Sequence, residues 1–239
     1  MSTMTARERM LGRLRAAAPG GGDSSEISRR IDAHYATQPI PADPVAAMCA
    51  ALASLRADVI CADESAWPEL LADRLARAGV RRLLLDPASA DGAALVRALP
   101  PQVAAVGYVR PIEQWKAELF ETIDAGFTTA RSGLAATGTL VLAPDAGTPR
   151  TVSLVPPLHV ALVRASTLHP DLHTAARAER WADGLPTNLV MVTGPSKTSD
   201  IQQTLAYGAH GPRELWVVIV MDLDLEEDQA GDRTQEQAR

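Results

Sequence analysis

Aromatic side chains are scarce in this sequence. They make up 4% of its 239 residues, with only two Phe among them, so a core has to be built from Ala, Val and Leu. Cysteine is scarcer still: Cys49 and Cys61 are the only two, separated by eleven residues. Without a CxxC spacing the chain cannot by itself hold an iron–sulfur cluster or a cysteine-based zinc site. A disulfide between the two is not expected in a reducing compartment. Redox chemistry would therefore have to come from a partner or a diffusible cofactor, and no resident cofactor or metal is expected. Basic residues do not dominate either, with 23 Lys and Arg against 29 Asp and Glu and a net charge of −6. That balance argues against general affinity for nucleic acid or an anionic membrane, both of which need a basic face. No apolar run is long enough to cross a bilayer. The opening MSTMTARERMLGRLRAAAPGGG lacks the unbroken hydrophobic stretch of a secretory signal, and Glu8 interrupts its Arg-rich pattern, so the expected location is cytoplasmic.

What is present is an ordinary globular balance, 46% apolar and 22% charged, in a chain long enough for one well-filled core. Residues 5–17 read as a short amphipathic helix, with Met10, Leu11 and Leu14 on one face and Arg7, Arg13 and Arg15 on the others. PGGGDSSE breaks it, a second helix follows near Ser28, and TQPIPADP is a second break. Residues 1–36 are thus expected to be an N-terminal helical appendage and linker, 44–225 an α/β domain, and 226–239 an acidic polar tail. Asp43 is placed to cap a helix over 44–56. Short apolar runs at 58–61, 82–85 and 103–108 then alternate with helical patterns at 67–78, 91–99 and 111–119. This alternation predicts an α/β fold with a mostly parallel sheet flanked by helices. The segments 123–130, 138–142, 150–154 and 158–164 follow without a helix between them and predict a β-rich insert of hairpins. A helix at 172–181, a strand at 189–193, a helix at 199–206 and a strand at 215–221 complete the reading.

Four segments carry candidate chemistry. GPSKTSD, residues 194–200, lies between a predicted strand and a predicted helix, the end of a strand where α/β sheets bind ligands. Gly194 permits unusual backbone angles, Ser196 and Thr198 offer hydroxyls beside helix N–H groups, and Lys197 adds positive charge, a combination that suits an anion. The spacing is not that of a Walker loop, and a plain helix cap with Asp200 in the first turn explains the same residues. YGAHGPREL, residues 207–215, sets His210 and Arg213 on a short Gly–Pro turn, one able to move a proton and the other to pair with a carboxylate or phosphate. A structural turn is the alternative. With a helix at 199–206, these two loops meet only if one folds back or another subunit contributes it. AATGTLVL places Thr137 and Gly138 where a ligand or another backbone approaches closely, and SLVPPLHVALV adds Ser153 and His159. HPDLH spaces His169 and His173 like metal ligands, but Pro170 marks a helix start and no HExxH frame exists, so no metal site is expected.

Taken together, ARERMLGRLRAA, GLAATGTLVL, RTVSLVPPLHVALV and GPSKTSDIQQTLAYGAHGPREL resemble the lactate-utilisation protein C family, which carries a LUD domain. The resemblance is clearest over residues 120–220, and GPSKTSDI followed by GAHGPR is its specific part. It implies a NagB/RpiA/CoA-transferase-like fold and a role in oxidising L-lactate to pyruvate beside iron–sulfur subunits. The shortage of cysteine here fits the cluster-free member of such a system. Carried over, the resemblance implies site groups at Thr137, Gly138, Ser153, His159, Gly194, Ser196, Thr198, Asp200, His210 and Arg213. One position departs: the glutamate usual before TGT is Ala136. The reading that follows is an accessory component binding a small anionic metabolite. The alternative is a stand-alone enzyme on a carboxylate, CoA or phosphorylated substrate. In it Asp200 or His210 works as acid or base, and Arg213 and Lys197 hold the anion.

Overall fold

The computed structural model describes residues 5–17, 24–199 and 205–222. The chain divides into two compact units, Met1–Ile40 and Pro41–Arg239. The first holds α1 (Ala6–Ala17) and α2 (Ser24–Ala36). Thr5 starts α1 through a reciprocal cap. Its N–H donates to Glu8 Oε2 at 2.7 Å, and Glu8 N–H donates to Thr5 Oγ1 at 3.3 Å.

The second unit runs α3 (Pro44–Ser54), β1 (Asp58–Asp63), α4 (Trp67–Arg77), β2 (Arg82–Leu84), α5 (Ala90–Ala98) and β3 (Ala104–Val106). A single 3-10 turn at Ile112–Gln114 leads into α6 (Lys116–Glu121), followed by β4 (Ala125–Thr129), β5 (Ser132–Leu134), β6 (Thr139–Leu142), α7 (Arg150–Leu154) and β7 (Leu158–Arg164). Then come β8 (Leu168–His169), α8 (Leu172–Ala178), β9 (Val190–Val192), β10 (Lys197–Ser199), β11 (Leu205–Tyr207) and β12 (Glu214–Met221). Asp43 caps α3 as its position predicts, accepting from Ala46 N–H at 3.0 Å, with Pro44 in the first turn.

Six strands form one sheet in the order β1-β12-β7-β4-β2-β3, and every neighbouring pair is parallel. The fold is therefore α/β with a parallel sheet flanked by helices, as the alternation of short apolar runs with helical patterns predicts. The central strands β7 and β12 read LHVALVR and ELWVVIVM because both of their faces are covered. On one face Val160, Leu162, Val218 and Val220 pack with Leu71 and Leu75 of α4 and Leu95 of α5. Trp67 stacks nearly parallel on Phe127 there, with ring centroids 6.0 Å apart. On the other face Ala161, Val163, Val217 and Ile219 pack with Met48 and Leu52 of α3 and with Leu140 and Leu142 of β6.

The middle of the chain departs from a simple insert. β4 and β7 belong to the parallel sheet, whereas β5 and β6 form an antiparallel hairpin in a second, four-stranded sheet of order β8-β5-β6-β9. Residues 150–154, expected as a strand, are helix α7. Pro149 accepts from Val152 N–H at the start of this turn, and Val155 N–H closes it onto Thr151 O before Pro156–Pro157 ends it. A second correction concerns the predicted helix at 199–206. Its two ends are the strands β10 and β11, paired antiparallel with Lys197 opposite Tyr207. A helix of eight residues is marginal alone, while Thr198 and Tyr207 favour strand. The hairpin also gives the adjoining loops backbone partners. Asp200 lies outside the described residues, as does the tail 226–239.

Candidate functional site

The hairpin of β10 and β11 returns the chain so that GPS and HGP come together. Ser196 N–H donates to Pro212 O at 2.8 Å and Gly208 N–H donates to Ser196 O at 3.0 Å. Between these loops and the sheet is a cavity of about 210 Å³. Its walls are Ser153 and Leu154 of α7, His159 of β7, residues 190–196, the turn His210–Pro212, and Leu215 of β12. The site therefore opens at the amino ends of β7 and β12. β9, which leads into GPSKTSD, belongs to the second sheet and not to the parallel one, so the carboxyl-end rule does not apply to this loop.

The deepest polar group is His159, 1% exposed, whose Nε2 shares a 2.8 Å hydrogen bond with Thr128 Oγ1. Burial pushes its pKa down to about 4, so the ring is neutral at pH 7 and contributes hydrogen bonding, not charge. Ser153 is buried beside it at 3% exposure. On the opposite wall a chain of hydroxyls links two motifs. Thr137 Oγ1 lies 2.7 Å from Thr139 Oγ1, which lies 2.8 Å from Thr193 Oγ1. Gly138, at φ +64°, stands against the end of α3, where a Cβ would come within 2.9 Å of Leu52 N. Gly194, at φ +82°, leans on Leu55 in the same way. The TGT turn thus braces the cavity loop against α3 and does not line the cavity.

Cationic groups lie next door. A neighbouring cleft of about 240 Å³ shares Pro195 and Leu215 with the cavity and is lined by Arg56, Tyr207 and Arg213, with Asp58 and Glu214 also present. Arg213 N–H is fixed on Pro157 O at 2.8 Å. Its guanidinium has no ion pair among the described residues. Arg56 adopts a left-handed φ of +63° that turns the chain from α3 into β1, and its guanidinium sits over the Tyr207 ring at 5.3 Å. Asp58 is already paired with Arg74 at 3.1 Å.

The LUD domain sequence model matches residues 46–220. The chain belongs to the LUD domain family. It is 38% identical over 174 residues to an uncharacterized protein of Neisseria meningitidis, covering 72% of this chain and 75% of that one. Proteins called lactate utilization protein C from Macrococcus caseolyticus and Halalkalibacterium halodurans are 35% and 38% identical over 109 and 113 residues. In both cases the match covers 44% of this chain and 47% of the relative, so it spans about half the length of those proteins. A crystal structure of a DUF162 family protein from Deinococcus radiodurans superposes with a TM-score of 0.54 at 22% identity, covering 76% of this chain and 99% of the other, a likeness of fold.

In this LUD domain, five of the residues singled out from sequence share the cavity: Ser153, His159, Gly194, Ser196 and His210. Arg213 faces the adjoining cleft, and Thr137 and Gly138 stand behind the wall. Lys197 and Thr198 sit on the hairpin and do not line the cavity. Ala136, where the resemblance leads one to expect glutamate, is exposed and is not part of the lining. Sequence reasoning missed Thr128, Thr193, Arg56 and Tyr207. Arg56 comes from a segment read only for its secondary structure, and Tyr207 opens YGAHGPREL, where only His210 and Arg213 were singled out.

Sequence reasoning also missed an ion network at the opposite, carboxyl end of the sheet. Arg164 at the end of β7 donates to both oxygens of Asp91 at 2.8 and 3.2 Å and to Glu64 at 3.1 Å, and Thr129 Oγ1 donates to Asp91 at 2.8 Å. Burial raises the Asp91 pKa, but the bonds from Arg164 and Thr129 outweigh it and hold the carboxyl below its usual range. These partners close the edge at which α/β proteins commonly bind ligands. Asp91→Ala is expected to lower the unfolding free energy by about 1–3 kcal/mol, since it removes charge-assisted bonds from a half-buried guanidinium. Urea titration at pH 7 measures it; an unchanged midpoint would show that the network adds nothing to stability.

Proposed function

We propose that this chain is a cluster-free, cytoplasmic component of an iron–sulfur system that oxidises L-lactate to pyruvate, and that it binds a small anionic ligand at the paired loops. The observation that carries the site is the convergence of GPS and HGP on one cavity, with the Arg56 and Arg213 cleft beside it. Its hydroxyls and neutral His159 suit oriented hydrogen bonding, while the two guanidinium groups supply charge in the adjoining cleft. The lactate assignment is supported by membership in the LUD domain family and by the relatives called lactate utilization protein C. Two cysteines without a cluster spacing support the need for partners that carry the electrons.

Two measurements test the two parts separately. The tagged chain, purified from its own host grown on lactate, is expected to bring down cysteine-rich subunits together with iron and labile sulfide. A clean, iron-free single chain would remove the accessory reading and favour the stand-alone enzyme, for which His210 in the cavity with Ser153 and Ser196 supplies the proton-transfer group. Calorimetric titration with L-lactate and with pyruvate tests the site. Arg213→Ala is expected to weaken binding about 10- to 100-fold, the loss of a charge-assisted bond, without shifting the melting temperature. Equal affinity in wild type and variant would remove Arg213 from the site.

A further inference from the structure

Cys49 lies on α3 and Cys61 on β1, the edge strand of the parallel sheet, and their Sγ atoms are 3.7 Å apart. Both thiols are free; Cys61 is exposed and Cys49 half-buried. Eleven residues separate them in sequence, yet the turn after α3 lays the helix back across the strand and brings the two sulfurs into contact. A bond of about 2.0 Å requires the sulfurs to approach further, by side-chain rotation and movement of helix toward strand. We propose that Cys49 and Cys61 are a modification site, a dithiol that hydroperoxides convert reversibly to an intramolecular disulfide.

The chemistry divides between the two sulfurs by exposure. Cys61, open to solvent, meets the peroxide first. Its thiolate attacks one peroxide oxygen, the O–O bond breaks, hydroxide leaves and takes up a proton as water, and Cys61 becomes a sulfenic acid. Cys49 sulfur then attacks Cys61 sulfur, the S–O bond breaks, and the thiol proton leaves with the hydroxyl as a second water. Overall two thiols lose two protons and two electrons, and one hydrogen peroxide becomes two waters. A low-molecular-weight thiol reverses the change by exchange. Burial and the Cys61 contact push the Cys49 thiol up to about 11, consistent with its acting second and only on a partner already at contact distance.

The bond would fasten α3 to β1 just before the segment that backs the cavity loops. Leu52 and Leu55, one turn and two turns beyond Cys49, are the residues on which Gly138 and Gly194 rest. Oxidation therefore stiffens the wall behind the GPS loop.

The test uses the full reduced chain and hydrogen peroxide in slight excess. Intact mass is expected to fall by two hydrogen atoms, both cysteines are expected to become inert to iodoacetamide together, and dithiothreitol is expected to restore both. The oxidised chain stays monomeric or keeps its native assembly on non-reducing gels and melts several degrees higher. In Cys49→Ser the sulfenic acid on Cys61 is expected to persist and to be captured by dimedone. Oxygen addition to one cysteine with the other still alkylated, a disulfide between chains, or two thiols untouched by peroxide would each overturn the proposal. These readouts do not depend on any ligand at the cavity.

Discussion

Gly126→Ala is expected to lower the unfolding free energy by about 2–4 kcal/mol and to abolish the ligand binding proposed for the cavity. Gly126 lies on β4, directly beside His159 in the ladder with β7. A Cβ there would stand 2.0 Å from Val152 O and 3.2 Å from Pro156 Cγ. The first of these is backbone of α7, so no side-chain rotation relieves the clash. Either α7 lifts from the sheet or β4 bends away from β7. Both movements displace Ser153, which α7 holds in the cavity wall beside His159. The missing side chain at 126 is thus what lets a helical turn lie flat on the strand ends and form a floor for the site. Urea denaturation measures the stability term, and titration with lactate measures the site. A variant of wild-type stability would mean that α7 is loosely seated, and the floor described here would be wrong.

Gly126 also marks how much the sequence disclosed. The parallel sheet was legible from the alternation of short apolar runs with helical patterns over residues 58–119, whereas β4 and β7 read as hairpin segments and only the structure places them in that sheet. α3 was legible through Asp43 and Pro44, whose effects are local. Local rules failed where tertiary contact decides. Residues 150–154 carry β-branched Thr151 and Val152 and look like a strand. They form a helical turn because Pro149 and Pro156 bracket them and Gly126 leaves them room. The segment 199–206 has helical spacing, but its ends pair as strands once Ser196 and Gly208 bond across the loop bases.

The site was legible to a similar depth. Ser153, His159, Gly194, Ser196 and His210 could be singled out because their motifs are compact, and the structure gathers them in one cavity. Their meeting was not readable, since a helix at 199–206 would have kept the two loops apart. Arg56 was invisible for a different reason. It follows α3 as an ordinary surface arginine, and only its left-handed backbone turns it toward Tyr207 and the cleft of Arg213. The carboxyl end of the sheet, where fold-level habit looks for a ligand, is occupied by Arg164 and its carboxylates instead.

Acidification from pH 6.5 to pH 4 is expected to cost this protein on the order of 3 kcal/mol of stability through His159 alone. The folded-state pKa is about 4 against an ordinary value of 6.5, because the ring is enclosed and the charged form is disfavoured. Between those two values the unfolded chain binds a proton that the folded chain refuses, so stability rises with pH across the window. The contribution is complete above pH 6.5, falls as pH drops to about 4, and is flat below. Asp91, Asp145 and Asp222 are held below their usual range and lose their contributions only under more acid conditions, so pH 5 to 6.5 reports mainly on the histidine. His159→Gln keeps a neutral hydrogen-bonding group near Thr128 and removes the titration. Its stability at pH 7 falls through imperfect packing, but its slope between pH 5 and 6.5 is expected to flatten. A variant with the wild-type slope would place the titrating group elsewhere. A folded His159 that stays neutral at pH 5 also fixes the electrostatics of the site. It cannot supply positive charge to the anionic ligand proposed above, for which Arg56 and Arg213 line the adjoining cleft, while the buried imidazole, bonded to Thr128, offers hydrogen bonding alone.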